Sequence, residues 1–138
     1  MTRAVFDASV LVKVVVPESG TPAAVAALSS CDERLTPDWA MLECAHALWR
    51  KAHLGTHSAD LMRLAFEGLK RADLTLVPSE SLAEAAFAIA CELDHPVYDC
   101  AYIALALAEG AALVTADAVL ADVSERAGIP TQRISSDE

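Results

Sequence analysis

The sequence predicts a three-layer α/β fold, a mainly parallel central sheet of four to five strands with helices on both faces. Two observations carry this prediction. Short strand-like runs bounded by Gly, Pro or Asp alternate along the chain with longer segments whose apolar residues recur at helical spacing. The composition is 54% hydrophobic, only 5% aromatic and of mean hydropathy +0.36. Small Ala and Val side chains supply much of that, which suits helices packed closely on a sheet and argues against disorder. A length of 138 residues is that of one domain with one core, so 1–138 reads as a single unit.

Residues 3–7 (Arg-Ala-Val-Phe-Asp) read as a short buried strand, and 8–14 begin a helix. Pro17, Gly20 and Pro22 punctuate a loop; a helix follows over about 21–30, then an extended piece near Leu35 and Thr36. Pro37 and Asp38 mark a helix start with Asp38 as candidate N-cap. That helix, 39–53, stops before Gly55. Residues 56–71 form a second helix, with Leu61, Leu64, Ala65 and Leu69 on one face. Residues 74–77 alternate with threonine as a strand does, and Ser79 caps another helix to about Leu93. Pro96 breaks the chain. A helix over 98–109 is closed by Gly110. A strand (112–115), a helix (118–127, ended by Gly128) and a last short strand (129–134) complete the pattern. No repeat, linker or low-complexity segment interrupts it.

Several function classes recede at once. The apolar stretches 10–16 and 101–108 are too short or interrupted for the ~20 residues of a membrane span. Asp7 and Lys13 fall inside the apolar run after Arg3, so it reads as strand and helix rather than secretory leader, and a cytoplasmic protein is expected. Cys31, Cys44, Cys91 and Cys100 show no C-x-x-C pair and no zinc-ligand spacing with histidine, and are read as small core thiols. The formal charge of −10 opposes indiscriminate binding to nucleic acid, whose affinity comes mostly from Lys and Arg on phosphate.

Four of the 20 acidic residues stand in places of consequence. Asp7 follows the first strand and Asp117 follows the strand Ala-Leu-Val-Thr, so both fall at the carboxyl edge of a parallel sheet, where ligands bind in open α/β folds. Asp99 opens a helix that feeds the foot of that same strand, and must therefore begin near the same edge. Glu43 sits within Met-Leu-Glu-Cys-Ala, where a carboxylate is expensive to bury unless paired or bound to a cation. Taken singly, each Asp also fits a helix N-cap and Glu43 an exposed helix position; their convergence is what capping alone does not supply. Four clustered carboxylates repel. A hard divalent cation, Mg²⁺ or Mn²⁺, removes that penalty and can activate water against a phosphodiester. No Ser–His–Asp set, Cys–His set or Gly-rich phosphate loop competes.

Four segments, Val-Phe-Asp-Ala-Ser-Val-Leu-Val-Lys (5–13), Met-Leu-Glu-Cys-Ala-His-Ala-Leu-Trp-Arg (41–50), Val-Tyr-Asp-Cys-Ala-Tyr-Ile-Ala-Leu-Ala (97–106) and Leu-Val-Thr-Ala-Asp-Ala-Val-Leu (113–120), together resemble the PIN domain, within it the VapC-like toxins of type II toxin–antitoxin systems. The resemblance spans the whole chain. It implies a Mg²⁺- or Mn²⁺-dependent endoribonuclease that forms a homodimer and is held inactive by a small antitoxin inserting a peptide at the active site. Carried onto this sequence, Asp7, Glu43, Asp99 and Asp117 are the acidic, metal-holding set, with Ser9 and Thr115 supporting it by hydrogen bonding. Cys100 stands where the family usually has alanine. The acidic balance then predicts weak, salt-sensitive and selective RNA binding, and fits inhibition by a basic antitoxin segment.

Of the remaining polar residues, His46, His53, His57 and His95 share no ligand spacing and are read as surface or helix-end groups, with His46 able to reach the rim of the site. Trp39 and Trp49 are read as core or dimer-interface anchors. If RNA binds, some of Lys13, Arg50, Lys51, Arg63, Lys70 and Arg71 should line its path. A haloacid dehalogenase-type phosphotransferase would want Asp-x-Asp after the first strand, where this chain has Asp7-Ala8-Ser9. A receiver domain would want a Lys after its last strand. The alternative from another class is a catalytically silent scaffold with the same fold.

Overall fold

The structure, a computed structural model, describes residues 2–135. Alternation along the first strand, β1 (Arg3–Phe6), divides the core: Ala4 and Phe6 enter one apolar cluster and Val5 the other. Its neighbour β4 (Ala112–Thr115) does the same, with Val114 on the first side and Leu113 on the second. Strands apolar on both faces must be covered on both, as parallel strands are. With β2 (Glu33–Pro37), β3 (Thr75–Val77) and β5 (Thr131–Arg133) they form an all-parallel five-stranded sheet in the order β3-β2-β1-β4-β5.

One face is covered by α1 (Ala8–Val15), α2 (Thr21–Ser29), α3 (Ala40–His53) and α4 (Ala59–Lys70), whose buried residues share a cluster with Phe6 and Val114. The other is covered by α5 (Ala83–Leu93), α6 (Val97–Glu109) and α7 (Ala118–Arg126). The run Cys100–Ala106 on α6 is buried without interruption, as befits a central helix wrapped on all sides. The chain moves outward from β1 through β2 to β3, then returns to β1's other side for β4 and β5. The strand order therefore reverses between β1 and β4, and the crevice beyond their carboxyl ends is where a ligand site is expected.

The three-layer reading and nearly every element stand, with differences at boundaries. β1 ends at Phe6, because Asp7 turns the chain and caps α1, accepting from the Val10 amide. Asp38 does not cap α3: its Oδ1 accepts the Ser79 amide at 3.1 Å, stitching the end of β2 to the segment after β3. Ser79 accordingly opens a 3-10 turn (Ser79–Leu82) rather than capping α5. The helix expected over 56–71 begins only at Ala59, where Ser58 is the cap and its Oγ accepts the Leu61 amide at 3.1 Å. Ser58→Ala is expected to lower stability by about 1 kcal/mol, since a side-chain cap serves an amide the helix cannot pair; chemical denaturation checks it, and an unchanged midpoint would deny the cap any weight. β5 is shorter than its expected span of 129–134, and the polar tail at 136–138 lies outside the described residues. Of the four cysteines, all free, Cys44 and Cys100 are buried core thiols, but Cys31 is half-buried and Cys91 exposed. Among the described residues no helix is long and apolar enough to cross a membrane.

Candidate active site

Asp7 occupies the turn from β1 into α1 and is only 5% exposed. Its Oδ1 accepts from Ser9 Oγ at 2.6 Å and from the Val10 amide at 3.4 Å; its Oδ2 accepts from Thr115 Oγ1 at 2.8 Å, across the β1–β4 junction. Ser9 Oγ in turn accepts the Ala116 amide, and Thr115 Oγ1 accepts the Asp117 amide. Two hydroxyls thus lock the ends of β1 and β4 together around one carboxylate. Among the described residues no lysine or arginine pairs with it. Burial, with the charge of Glu43 adding, outweighs the Ser9, Thr115 and Val10 hydrogen bonds and pushes the Asp7 carboxyl up to about 7.

Glu43 comes from the first turn of α3 and Asp99 from the first turn of α6. Tyr102, one turn beyond Asp99 and 2% exposed, donates its hydroxyl to Glu43 Oε1 at 2.8 Å and accepts the Ala8 amide at 3.3 Å. It pins α6, α3 and the start of α1 to one point. Burial, opposed by the Tyr102 bond and reinforced by the charge of Asp99, raises the Glu43 carboxyl. Tyr102 is raised by burial and then by Glu43 and Asp7, so it stays a neutral donor. Asp7, Glu43 and Asp99 are therefore within electrostatic reach of one another along a chain of neighbours. Asp99 Oδ2 also meets His95 Nε2 at 2.8 Å, a contact made by the i, i+4 spacing at the entry to α6.

Asp117 is placed differently. It is exposed, caps α7 through Oδ1 with the Val119 and Leu120 amides, and reaches Asp7 only by way of Thr115. Asp7 also caps its helix; Asp99 does not. Among the described residues no three His, Cys, Asp or Glu side chains close on a common point suited to an ion. Each of the three carboxylates instead meets its own hydrogen-bonding neighbour, Asp7 the hydroxyls of Ser9 and Thr115, Glu43 that of Tyr102, and Asp99 the His95 ring. The donor set itself, carboxylate oxygens with supporting hydroxyls, fits a hard divalent cation. The nearby thiols offer no soft alternative, since burial and the adjacent carboxylates push Cys44 up to about 12 and raise Cys100.

Two residues that bear on the site were not singled out from sequence. His95 reads from the sequence as a surface or helix-end group, and its distance of four from Asp99 is the signal that points to the contact. Tyr102 sits in a run of buried residues, and a tyrosine hydroxyl in such a run needs a partner. His46 instead packs on Trp49, which is exposed and stacks on His53, while Trp39 packs edge-on against Tyr98 and Tyr102. Beside Glu43 and Ser9 opens a cleft of about 590 Å³ whose walls include Lys13, Glu18, Arg50 and Lys51.

The PIN domain family model matches residues 4–126 of this chain. Among curated proteins, the chain is 33% identical over 124 residues to Ribonuclease VapC3 of Pyrobaculum aerophilum, covering 87% of this chain and 93% of that protein. Among solved structures it resembles PAE2754 from Pyrobaculum aerophilum with a TM-score of 0.72, at 19% identity, covering 94% of this chain and 89% of the other.

Proposed function

The chain belongs to the PIN-domain family, and from that premise we propose that it is a VapC-like endoribonuclease that hydrolyses RNA phosphodiester bonds with Mg²⁺ or Mn²⁺. The observation that carries the reading is Asp7: a buried carboxylate without a cationic partner, facing Glu43, at the β1–β4 switch point. Such a group is expensive in the metal-free fold and is relieved by a bound cation. Its likeness to a named ribonuclease over most of both chains supports the same chemistry.

In this reading Asp7, Glu43 and Asp99 would hold the cation, and Asp117, whose carboxylate caps α7 at the end of β4, would complete the set from the same sheet edge. Held by these carboxylates, a divalent ion would supply water activation and offset phosphoryl charge. Ser9 and Thr115 keep Asp7 oriented and favour its ionised form. Tyr102 holds Glu43 at the rim, and His95 orients Asp99. As a toxin the protein pairs with an antitoxin and acts as a homodimer in the cytoplasm; exposed Trp49, Leu54, Leu61 and Leu64 on and after α3 and on α4 offer apolar surface for such partners.

The test is cleavage of single-stranded RNA by the purified protein. We expect activity with Mn²⁺, loss in EDTA, recovery on adding Mn²⁺, and at least about 100-fold loss in Asp99→Asn, beyond the usual effect of disturbing a ligand's supporting partner. Cleavage that survives both EDTA and Asp99→Asn would remove the metal mechanism. A wild type that neither cuts RNA nor gains thermal stability with Mn²⁺ would be a silent scaffold.

A further inference from the structure

The cleft beside Glu43 differs in charge from the rest of the molecule. Of the ten Lys and Arg residues in a chain of net charge −10, three line it: Lys13 from α1, and Arg50 and Lys51 from the last turn of α3. Of the seven cations outside it, four are matched by acids, Arg3 with Glu33 and Glu109, Arg63 with Asp60, Lys70 with Glu67 and Arg126 with Asp122; Arg34 donates to the Ala72 carbonyl, and Arg71 and Arg133 stand apart on the sequence with no ion pair among the described residues. In the cleft a single acid, Glu18, serves two lysines: Lys13 Nζ lies 3.3 Å from Oε2 and Lys51 Nζ 3.0 Å from Oε1. Lys13 also donates to the Ser19 carbonyl at 2.8 Å. Arg50 is exposed and has no ion-pair partner among the described residues.

We infer that this cleft is the backbone track of the RNA substrate: Lys13, Arg50 and Lys51 hold phosphates flanking the bond cut at the acidic cluster, and Glu18 is the internal counter-ion a strand displaces in part. The inference rests on the nuclease reading and deepens it. Each ammonium has three donors, so Lys51, with one turned to Glu18, keeps others for phosphate oxygens. The lining contains no aromatic side chain, so the cleft offers charge and no stacking surface for bases. Contacts of that kind position a strand without reading its sequence. Ser9, Ala116 and Glu43 on the same wall make the track continuous with the acidic cluster. Glu18 then limits affinity in the unbound protein, which suits a molecule whose net charge already discourages indiscriminate binding.

Binding of a labelled single-stranded RNA, read by anisotropy in EDTA over a salt series, tests this. Arg50→Gln and Lys51→Gln are each expected to weaken binding about threefold to tenfold, and to flatten the log–log salt slope by about 0.7 per lost phosphate contact. Glu18→Gln is expected to tighten binding about threefold. Arg126→Gln, which removes one charge outside the cleft, should change little. Equal weakening by Arg50→Gln and Arg126→Gln, or no tightening in Glu18→Gln, would overturn the track. So would unchanged RNA binding with lost binding of polyglutamate, which would assign the cleft to an acidic protein instead. Mn²⁺-induced thermal stabilisation of the same variants separates the two claims. Its absence in wild type sinks the metal site, whereas its presence beside an indifferent Arg50→Gln sinks only the track.

Discussion

Asp7→Asn is expected to abolish Mn²⁺-dependent RNA cleavage and, in the same protein, to raise metal-free stability above pH 7. The two effects share a cause. Asn keeps the size of the side chain and remains a good N-cap for α1, so the Val10 amide retains an acceptor. What it removes is the buried charge, together with one of the two hydroxyl hydrogen bonds, since the Asn Nδ2 cannot accept from Thr115 or Ser9. In the unfolded chain this carboxyl ionises near 3.8, and in the fold at about 7. Above pH 7 the native protein therefore carries an ionised group that the fold disfavours by something on the order of 4 kcal/mol. Asn escapes that penalty and forfeits the ligand. Urea unfolding in EDTA at pH 8 should give a more stable Asp7→Asn than wild type, with the gain gone near pH 4. A variant less stable than wild type at pH 8 would mean that the carboxylate is compensated in a way the geometry does not provide.

The same group sets the pH response of the wild type. Between about pH 4 and 7 the folded protein retains a proton that the unfolded chain has released, so stability without metal falls as pH rises through that window. Glu43, also raised, contributes in the same direction. Metal binding requires the deprotonated ligands, so the stabilisation brought by Mn²⁺ should grow over the same window. A Mn²⁺ shift in melting temperature that is flat from pH 5 to pH 8 would contradict a ligand role for Asp7.

The layer order was legible because strand alternation and helical spacing are properties of the side chains themselves: Val5 against Ala4 and Phe6 already declares a strand covered on both faces. Helix starts were less legible where tertiary contacts claimed the capping group. Asp38 reads as a cap in isolation, yet the Ser79 amide, 41 residues on, takes its carboxylate. At the site, Asp7 and Glu43 were visible as acids in apolar surroundings. The partners of Glu43 and Asp99 were not, because Tyr102 meets Glu43 from 59 residues away and His95 reaches Asp99 from the loop before α6, contacts that no single segment's periodicity reveals. Asp117 lies at the same sheet edge, as strand ends dictate, but its amide contacts turn it toward capping α7, a choice decided by local backbone geometry.

Thr115→Val should lower stability at pH 8 by about 2–4 kcal/mol, a large effect for a change that preserves shape. Thr115 is wholly buried, and its hydroxyl both donates to Asp7 Oδ2 and accepts the Asp117 amide. A hydrogen bond to a charged acceptor contributes about 1.5–3 kcal/mol, and an amide left without a partner adds a further penalty. Two controls isolate the carboxylate's share. At pH 5, where Asp7 is mainly protonated in the fold, the loss should shrink to roughly half. In an Asp7→Asn background it should also shrink, giving a coupling of about 1–2 kcal/mol in a double-mutant cycle, as expected for groups in direct contact. If the two substitutions were additive within about 0.3 kcal/mol, Thr115 would be acting only on the strand end. The ionised form of Asp7 would then have to be sustained by Ser9 and the α1 amide alone, too little to keep a buried metal ligand deprotonated at neutral pH.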